Sequence, residues 1–225
     1  MILELNQVVV NIQKTPILRC LSLAINDGEF IGLVGRNGAG KTTTLRTVMG
    51  LITPVSGSVK LFGRDVSGVQ AHLRPALGIG YMPEDRRLVP QLTVEENILL
   101  PSWVIAGLDH QASLKFIYDL MPELYAMKDR KALLLSGGQQ KMVALGRALM
   151  AGIKLLVFDE PFEGVAPALA GRLVEVISAL RQEGRSILVA QSELSHAGEL
   201  MDREYIIERG EILSDDEKPK TVTTD

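Results

Sequence analysis

The sequence predicts an α/β fold, because a strand, a glycine-rich loop and a helix follow one another in its first quarter. Residues 30–34 form a compact apolar strand, the loop follows directly, and residues 41–49 have helical potential. A second apolar run, residues 154–158, is typical of a strand buried on both faces of a parallel sheet. Strand, glycine loop and helix in this order indicate a phosphate-binding α/β core.

Turn residues and periodicity place the other elements along the chain. Residues 1–62 are rich in short β-like stretches, and residues 84–150 change to helical patterns interrupted by prolines, which indicates a helical insertion. The remaining predictions are a strand at 77–82, a helix at 167–183, a strand at 186–190 and a hairpin at 205–213. We therefore expect one domain over residues 1–225, with a core at 1–83 and 151–213, a helical lobe at 84–150 and an unstructured polar tail at 214–225.

Composition and charge exclude several classes of protein. Of the 225 residues, 46% are hydrophobic and 23% are charged, and the formal net charge of -3 gives no reason to expect a nucleic-acid partner. Cys20 is the single cysteine, which excludes an internal disulfide framework and fits a reducing compartment. No secretory signal is visible, and no apolar run approaches the ~20 residues needed to cross a bilayer. We expect a soluble, cytoplasmic protein.

The glycine-rich loop matches the phosphate-binding pattern G-x-x-x-x-G-K-[ST] without a gap. Thr43 follows the loop, whose residues are Gly35, Arg36, Asn37, Gly38, Ala39, Gly40, Lys41 and Thr42. Glycines let successive backbone N–H groups point at phosphate oxygens, and the helix adds its positive N-terminal end. Lys41 can reach the β- and γ-phosphates, and the Thr42 hydroxyl can ligate Mg²⁺. A glycine-rich turn with a solvated lysine is the alternative, but the flanking strand and helix favour a nucleotide site.

A second motif opens the predicted helix that ends near residue 149. Ser136 is a candidate N-cap, Gly137 and Gly138 leave the first helical amides open to an anion, and Gln139 follows. An ordinary capped helix start is the alternative interpretation. The position of the motif, one apolar strand before a pair of carboxylates, favours the functional interpretation.

That pair is Asp159 and Glu160, at the end of the apolar strand of residues 154–158. Successive side chains on a strand diverge, so the two carboxylates have different surroundings. A surface acidic pair that ends a strand is the alternative. Phosphoryl transfer needs a metal ligand and a group that orients the nucleophile, and two carboxylates in this place fit both roles.

Three stretches, GRNGAGKTT, LSGGQQ and LLVFDEP, resemble the nucleotide-binding domains of ABC ATPases in their order and spacing. The resemblance covers nearly the whole chain. It implies a P-loop NTPase fold, with a RecA-like core, an antiparallel β-lobe and an inserted α-helical lobe, and it implies ATP and Mg²⁺ as ligands. It also implies a head-to-tail dimer, in which residues 136–138 cap the γ-phosphate of ATP held by the phosphate loop of the other subunit.

The resemblance also assigns roles to single residues. Asp159 matches the residue that holds Mg²⁺ through water, and Glu160 matches the general base that polarises the attacking water. Three positions depart from the common pattern: Glu84 replaces the metal-contacting glutamine, Gln191 replaces the switch histidine, and Ala166 replaces a loop aspartate. We expect Glu84 still to reach Mg²⁺, and the Gln191 amide to bond the γ-phosphate. His196 lies too far along the chain for that role and is interpreted as a surface residue.

These departures resemble the ATP-binding subunits of branched-chain amino-acid importers and of their urea-importing relatives. Lipopolysaccharide-export ATPases share part of the pattern. A fourth departure concerns the base, because the aromatic residue that usually stacks on adenine belongs near Ile12. Ile12 offers apolar contact without ring stacking, which predicts weaker adenine binding and weaker base discrimination.

The partners implied by the resemblance are a second ABC ATPase subunit, transmembrane permease subunits and, indirectly, a periplasmic or extracellular solute-binding protein. The chain would then lie on the inner face of the cell membrane. Leu88, Pro90, Trp103 and Phe116 are candidates for the face toward the permease, although a core position is the favoured interpretation for Trp103 alone. The second subunit is either another copy or a paralogue, and the resemblance favours a paralogue.

The leading hypothesis is therefore an ATPase that drives import of a branched-chain amino acid or a similar polar solute. The first alternative is the ATPase of an exporter or lipopolysaccharide-type transporter. The second is a weakly hydrolysing module that dimerises on ATP, which Glu84, Gln191 and the missing aromatic favour and Glu160 disfavours. The sequence does not identify the transported solute, because the permease and the solute-binding protein select it.

Overall fold

A computed structural model describes residues 1–192 and 198–213 of the chain. His196 and the tail at 214–225 lie outside these described residues, so the predictions made for them stay predictions. Within the described residues, the strands are β1 (Leu3–Ile12), β2 (Thr15–Ile25), β3 (Phe30–Val34), β4 (Ser56–Leu61), β5 (Arg64–Asp65), β6 (Ile79–Met82), β7 (Leu155–Asp159), β8 (Ser186–Gln191), β9 (Arg203–Glu208) and β10 (Glu211–Ile212). The α-helices are α1 (Lys41–Val48), α2 (Val94–Leu99), α3 (His110–Leu120), α4 (Pro122–Ala126), α5 (Gly137–Ala151) and α6 (Pro167–Gln182).

The described strands form two sheets. One is antiparallel, with the order β2-β1-β4-β5, and the other has the order β10-β9-β3-β8-β7-β6, in which every pair from β9 to β6 is parallel. The β9–β10 pair is the predicted hairpin, and its turn uses Arg209 and Gly210 with left-handed backbone angles. A parallel sheet with a separate antiparallel sheet confirms the predicted α/β, P-loop fold class.

Alternation along the central strands divides the core between the two faces of the parallel sheet. One face packs against α1 and the antiparallel sheet, and its strand residues include Leu155, Val157, Leu188 and Ala190. The other face packs against α5 and α6, and its strand residues include Leu156, Phe158, Ile187 and Val189. Both faces are buried, which explains why these strands are continuous apolar runs in the sequence.

Helices α2 to α5 stand between β6 and β7, as the predicted helical insertion requires. Two of them begin with a reciprocal capping box, formed by Thr93 with Glu96 for α2 and by Ser136 with Gln139 for α5. Strand β6 begins at Ile79, two residues later than predicted, because Pro75–Leu77 form a 3-10 turn that ends at a left-handed Gly78. None of the described helices is both long and apolar enough to cross a bilayer.

Candidate active site

The phosphate loop connects β3 to α1 and lines a cleft of about 370 Å³. Gly35 must lack a side chain, because a Cβ there would lie 2.3 Å from the carbonyl oxygen of Ile207. Gly40 is the N-cap of α1 and has φ 117, a left-handed conformation that glycine adopts without strain. The cleft is lined by Ile17, Asn37, Gly38, Gly40, Lys41, Thr42, Thr43, Glu84, Glu160 and Glu163.

Lys41 is buried and sits at the centre of a polar network. Its Nζ donates to the Gly35 carbonyl at 2.5 Å and to Ser192 Oγ at 3.1 Å, and it lies 3.1 Å from Glu160 Oε1. Ser192 Oγ is also 2.6 Å from Glu160 Oε1 and 2.8 Å from Asn37 Oδ1. Lys41 therefore contacts the Glu160 carboxylate directly, and Ser192, which follows β8, bonds both of them.

Asp159 ends β7 beside the first turn of α1. Thr42 Oγ1 donates to Asp159 Oδ1 at 3.1 Å, and the Tyr81 hydroxyl donates to Asp159 Oδ2 at 3.2 Å. Burial raises the pKa of Asp159 to about 6, with the charges of Glu84 and Glu160 adding to the effect, although both hydrogen bonds oppose it. A cation beside Asp159 would favour the ionised form of this buried carboxylate. Tyr81 has no motif of its own, and the sequence alone does not single it out.

The oxygen donors around Asp159 suit Mg²⁺. A hydroxyl and a carboxylate stand 3.1 Å apart, and Glu84 is exposed in the same cleft. Among the described residues, no group of three or more His, Cys, Asp and Glu side chains is arranged to hold a metal on its own. Mg²⁺ commonly takes one or two carboxylates and completes its coordination with phosphate oxygens and water, so the donor set fits this ion.

The loop that carries Glu84 is anchored to α5. Arg147 donates to the carbonyl oxygens of Arg86 and, at 2.7 Å, of Arg87. Arg86 in turn reaches Gln140 Oε1 at 3.1 Å. The sequence does not predict these arginines as site residues, but they link the cleft to α5, the helix that Ser136 caps.

The Ser136 motif lies in a different pocket. Ser136 Oγ accepts from the Gln139 amide at 3.3 Å, and Gln139 Oε1 accepts from the Ser136 amide at 3.0 Å. Glu123, Ala126, Met127, Arg130, Ser136, Gly138, Gln139, Met142, Gly164, Val165, Ala166 and Leu169 line this pocket of about 650 Å³. It shares no lining residue with the phosphate-loop cleft, so the chain does not bring its two motifs together.

A family model described as ABC transporter matches residues 18–163, which contain the phosphate loop, the Ser136 motif and the Asp159–Glu160 pair. The chain belongs to this family. As an ABC ATPase it binds ATP and couples ATP hydrolysis to transport.

Several relatives of this ABC ATPase are known by name. The high-affinity branched-chain amino acid transport ATP-binding protein BraG of Pseudomonas aeruginosa is 36% identical over 203 residues, covering 90% of this chain and 87% of that protein. The lipopolysaccharide export system ATP-binding protein LptB of Escherichia coli K12 is 32% identical over 196 residues, covering 86% of this chain and 81% of that protein. The solved ADP conformation of the ATP-binding cassette MJ1267 has a TM-score of 0.82 and 27% identity, over 95% of this chain and 89% of that one.

The structure places Gln191 at the end of β8 in this ABC ATPase, and the γ-phosphate role predicted for it stays a prediction. Gln191 shares the sheet face of Ile187 and Val189, its side chain is buried, and its Nε2 has no hydrogen-bond partner. Ser192, one residue further, reaches Lys41 and Glu160 from the face that carries α1. Ser192 lies just beyond the end of β8, and of these two neighbours it is the one whose side chain bonds Lys41 and Glu160.

The structure also locates Ile12, whose predicted contact with adenine stays a prediction, and Trp103. Ile12 is exposed at the β1–β2 turn and does not line the phosphate-loop cleft, whose apolar wall includes Ile17 instead. Trp103 is 63% exposed, so the interpretation of this residue as core is wrong. Leu88 and Phe116 pack against the core beneath the helical insertion and present only part of their surface.

Ala166 is the N-cap of α6 and makes no side-chain cap. An aspartate in its place could accept from the first helical amides, whereas alanine leaves them without that partner. The loop of residues 163–166 therefore depends on other contacts for its position.

Proposed function

We propose that this ABC ATPase drives the import of a branched-chain amino acid or a similar polar solute and uses Mg²⁺ with ATP. The similarity to BraG along nearly the whole chain carries the proposal. The sequence features that favour the same subfamily are the segment around Glu84, the loop at residues 163–167 and the glutamine at position 191.

The cleft supports a division of labour around ATP. The phosphate loop holds the phosphates with backbone amides, and Lys41 neutralises the β- and γ-phosphates. Thr42, Asp159 and Glu84 are the residues that would hold Mg²⁺. Bound there, Mg²⁺ would neutralise charge on the phosphate oxygens.

Glu160 is the proposed general base. In the structure its carboxylate is paired with Lys41, so ATP must replace that carboxylate as the partner of the ammonium group. The exchange leaves the Glu160 carboxylate free to orient a water and to accept its proton. Ser192 then becomes the nearest hydroxyl able to bond either the carboxylate or a phosphate oxygen, the role that was predicted for Gln191.

A second cassette would complete the site. Residues 136–139 begin α5 away from the chain's own cleft. The capping box uses the amides of Ser136 and Gln139, and the amides of Gly137 and Gly138 suit an anion presented by another subunit. Two head-to-tail copies, or this chain with a paralogue, would pair each phosphate loop with the other subunit's Ser136 motif. Such a dimer would work beneath permease subunits on the inner face of the membrane, with a solute-binding protein on the far side.

A leucine-uptake assay tests the proposed direction and solute. In the organism that encodes this chain, deletion of the coding sequence should lower uptake of radiolabelled leucine. Wild-type protein should restore uptake, and an equally abundant Glu160→Gln variant should not. Uptake that stays at the wild-type level in the deletion strain would contradict amino-acid import.

The similarity to LptB supports a second candidate, an ATPase of lipopolysaccharide export. This candidate predicts that depletion of the chain leaves leucine uptake unchanged and lowers the amount of lipopolysaccharide on the cell surface. The same deletion strain, complemented by the same two proteins, separates the two candidates when both quantities are measured.

A further inference from the structure

Lys141 is a buried ammonium group that the proposed mechanism does not use. It lies in the second turn of α5, and 4% of its surface is exposed. Its Nζ donates to the carbonyl oxygens of Glu160 at 2.9 Å and Pro161 at 3.0 Å, and to that of Glu163. All three donors of the ammonium group are therefore spent on one short loop.

Within the described part of the chain, Lys141 is buried without an ion-paired acidic partner to stabilise its positive charge. No carboxylate oxygen of the described residues lies within ion-pair distance of its Nζ. Burial is the main cause that lowers the pKa of Lys141, Arg86 lowers it further, and Glu163, Glu160 and Glu84 oppose this. Burying a charge without a paired carboxylate costs desolvation free energy. The three hydrogen bonds to carbonyl oxygens are the interactions that offset this cost.

The loop that Lys141 holds begins with the proposed general base. Glu160 has φ 48, a left-handed conformation that a residue with a side chain adopts only when its surroundings impose it. Its amide donates to the Ala190 carbonyl at 2.9 Å, and its carbonyl accepts from Lys141. The peptide units on both sides of the Glu160 Cα are thus held, which directs the carboxylate toward Ser192 and Lys41.

We infer that Lys141 is a positioning residue for Glu160, holding residues 160–163 in the one backbone conformation that aims the Glu160 carboxylate into the phosphate-loop cleft. This inference rests on the proposed role of Glu160 as general base. Lys141 does not itself line the cleft, and its three bonds go to backbone carbonyls of residues 160–163 and not to the phosphate loop, so it acts on the rate of the chemical step and not on the binding of ATP.

The test replaces Lys141 by Met, which keeps an unbranched side chain and removes every donor. We expect kcat for ATP hydrolysis to fall about 10- to 100-fold, as for other small displacements of a reacting group. The Kd of a non-hydrolysable ATP analogue should change less than about twofold. Lys141→Arg, which restores donors and charge, should recover part of the lost kcat. Lys115→Met is the matched control, because Lys115 is an exposed lysine on α3 whose side chain is 76% accessible.

Two results would overturn the inference. One is a folded Lys141→Met protein with wild-type kcat, and the other is a loss of kcat matched by an equal loss of analogue affinity. If the Met variant does not fold, Lys141→Gln, which keeps two donors, is measured in its place with the same expected split between kcat and Kd.

A double mutant separates this inference from the proposed function. If Lys141 acts through Glu160, then Lys141→Met adds no further loss to Glu160→Gln, and the two effects are non-additive. A further loss in the double mutant would show an independent role and contradict the inference. Wild-type hydrolysis by Glu160→Gln alone would instead contradict the general-base proposal itself.

Discussion

The phosphate-loop cleft and the Ser136 pocket of this chain differ in the charged and polar side chains that line them. The cleft carries a lysine, three glutamates and two threonines, joined through hydrogen bonds that already link Lys41, Glu160 and Ser192. The Ser136 pocket is lined mainly by apolar side chains, and the polar groups of Ser136 and Gln139 bond each other. The cleft therefore has the charged and hydroxyl groups that phosphate transfer needs, whereas the described lining of the Ser136 pocket lacks a lysine and a hydroxyl–carboxylate pair of this kind and is proposed to complete the site of another subunit.

The largest expected effect on kcat follows from removing the Glu160 carboxylate, which lies beside the phosphate loop. Glu160→Gln should lower kcat by about 10²- to 10⁴-fold, since it removes a general base, while nucleotide binding survives because Lys41 loses only a competing partner. Steady-state hydrolysis and analogue binding measure the two quantities. Glu163→Gln is the matched control, because Glu163 lines the same cleft without pairing with Lys41. Equal losses in both variants would contradict a special role for Glu160.

The Ser136 pocket should respond in the opposite way to a bulky change. Ser136→Arg should abolish most hydrolysis, because the side chain fills the place where this helix start would meet the ATP phosphates of the other subunit, but it should leave ATP binding by dilute protein unchanged. Ser136→Ala isolates the cap, whose loss should lower the free energy of unfolding by about 1 kcal/mol. An arginine variant that binds ATP poorly in dilute solution would show that the pocket belongs to the chain's own site.

Most residues of the cleft, and the Ser136 motif, could be predicted from the sequence, because each motif has a spacing that is tied to one strand, loop or helix. Residues 35–42, 136–139 and 159–160 all lie where their elements were predicted. No sequence motif singled out Ser192, which follows β8 and bonds Lys41 and Glu160, and the γ-phosphate role of Gln191 stays a prediction.

Other features lacked a sequence signal. Lys141 is a charged residue on a helix, which usually indicates an exposed face, and only the path of the loop after β7 makes it buried. Trp103 is exposed although single tryptophans are commonly buried, because Leu100–Trp103 form a 3-10 turn at the surface of the helical insertion. Such positions depend on the packing of distant elements and not on local pattern.

Neighbouring substitutions at the end of β8 sharpen the assignment of Ser192. Ser192→Ala should lower kcat about tenfold, because Glu160 and Lys41 lose the hydroxyl between them. Gln191→Leu should leave kcat within about twofold and should not destabilise the fold, since its buried Nε2 has no partner to lose. Steady-state kinetics and thermal unfolding measure both variants. The reverse order of effects would contradict the role proposed for Ser192 and support Gln191 as the phosphate contact.

The smallest expected effect concerns an ion pair beside the Ser136 pocket. Arg172 Nε lies 2.9 Å from Glu123 Oε1, on a side chain that is 38% exposed. Partial burial alone would raise the pKa of Glu123, but the hydrogen bond and charge of Arg172 outweigh it and leave the pKa below its usual value of 4.5.

A lowered pKa means that the pair stabilises the fold above pH 4.5, and that this stabilisation disappears as the pH falls through the pKa of the folded state. The gain is below about 1 kcal/mol, because solvent screens a partly exposed pair. Thermal unfolding of wild type and Glu123→Gln should therefore differ slightly at pH 7 and converge in acid. A difference that grows on acidification would contradict this sign.

Mixing two inactive variants tests most directly whether the cleft of one subunit is completed by the Ser136 motif of another. Lys41→Ala and Ser136→Arg should each hydrolyse ATP poorly when alone. Mixed together, they should recover up to about one quarter of the wild-type rate, because half of the random head-to-tail dimers contain one intact site out of two. Activity in the mixture that never exceeds the sum of the separate variants would contradict a site shared between subunits.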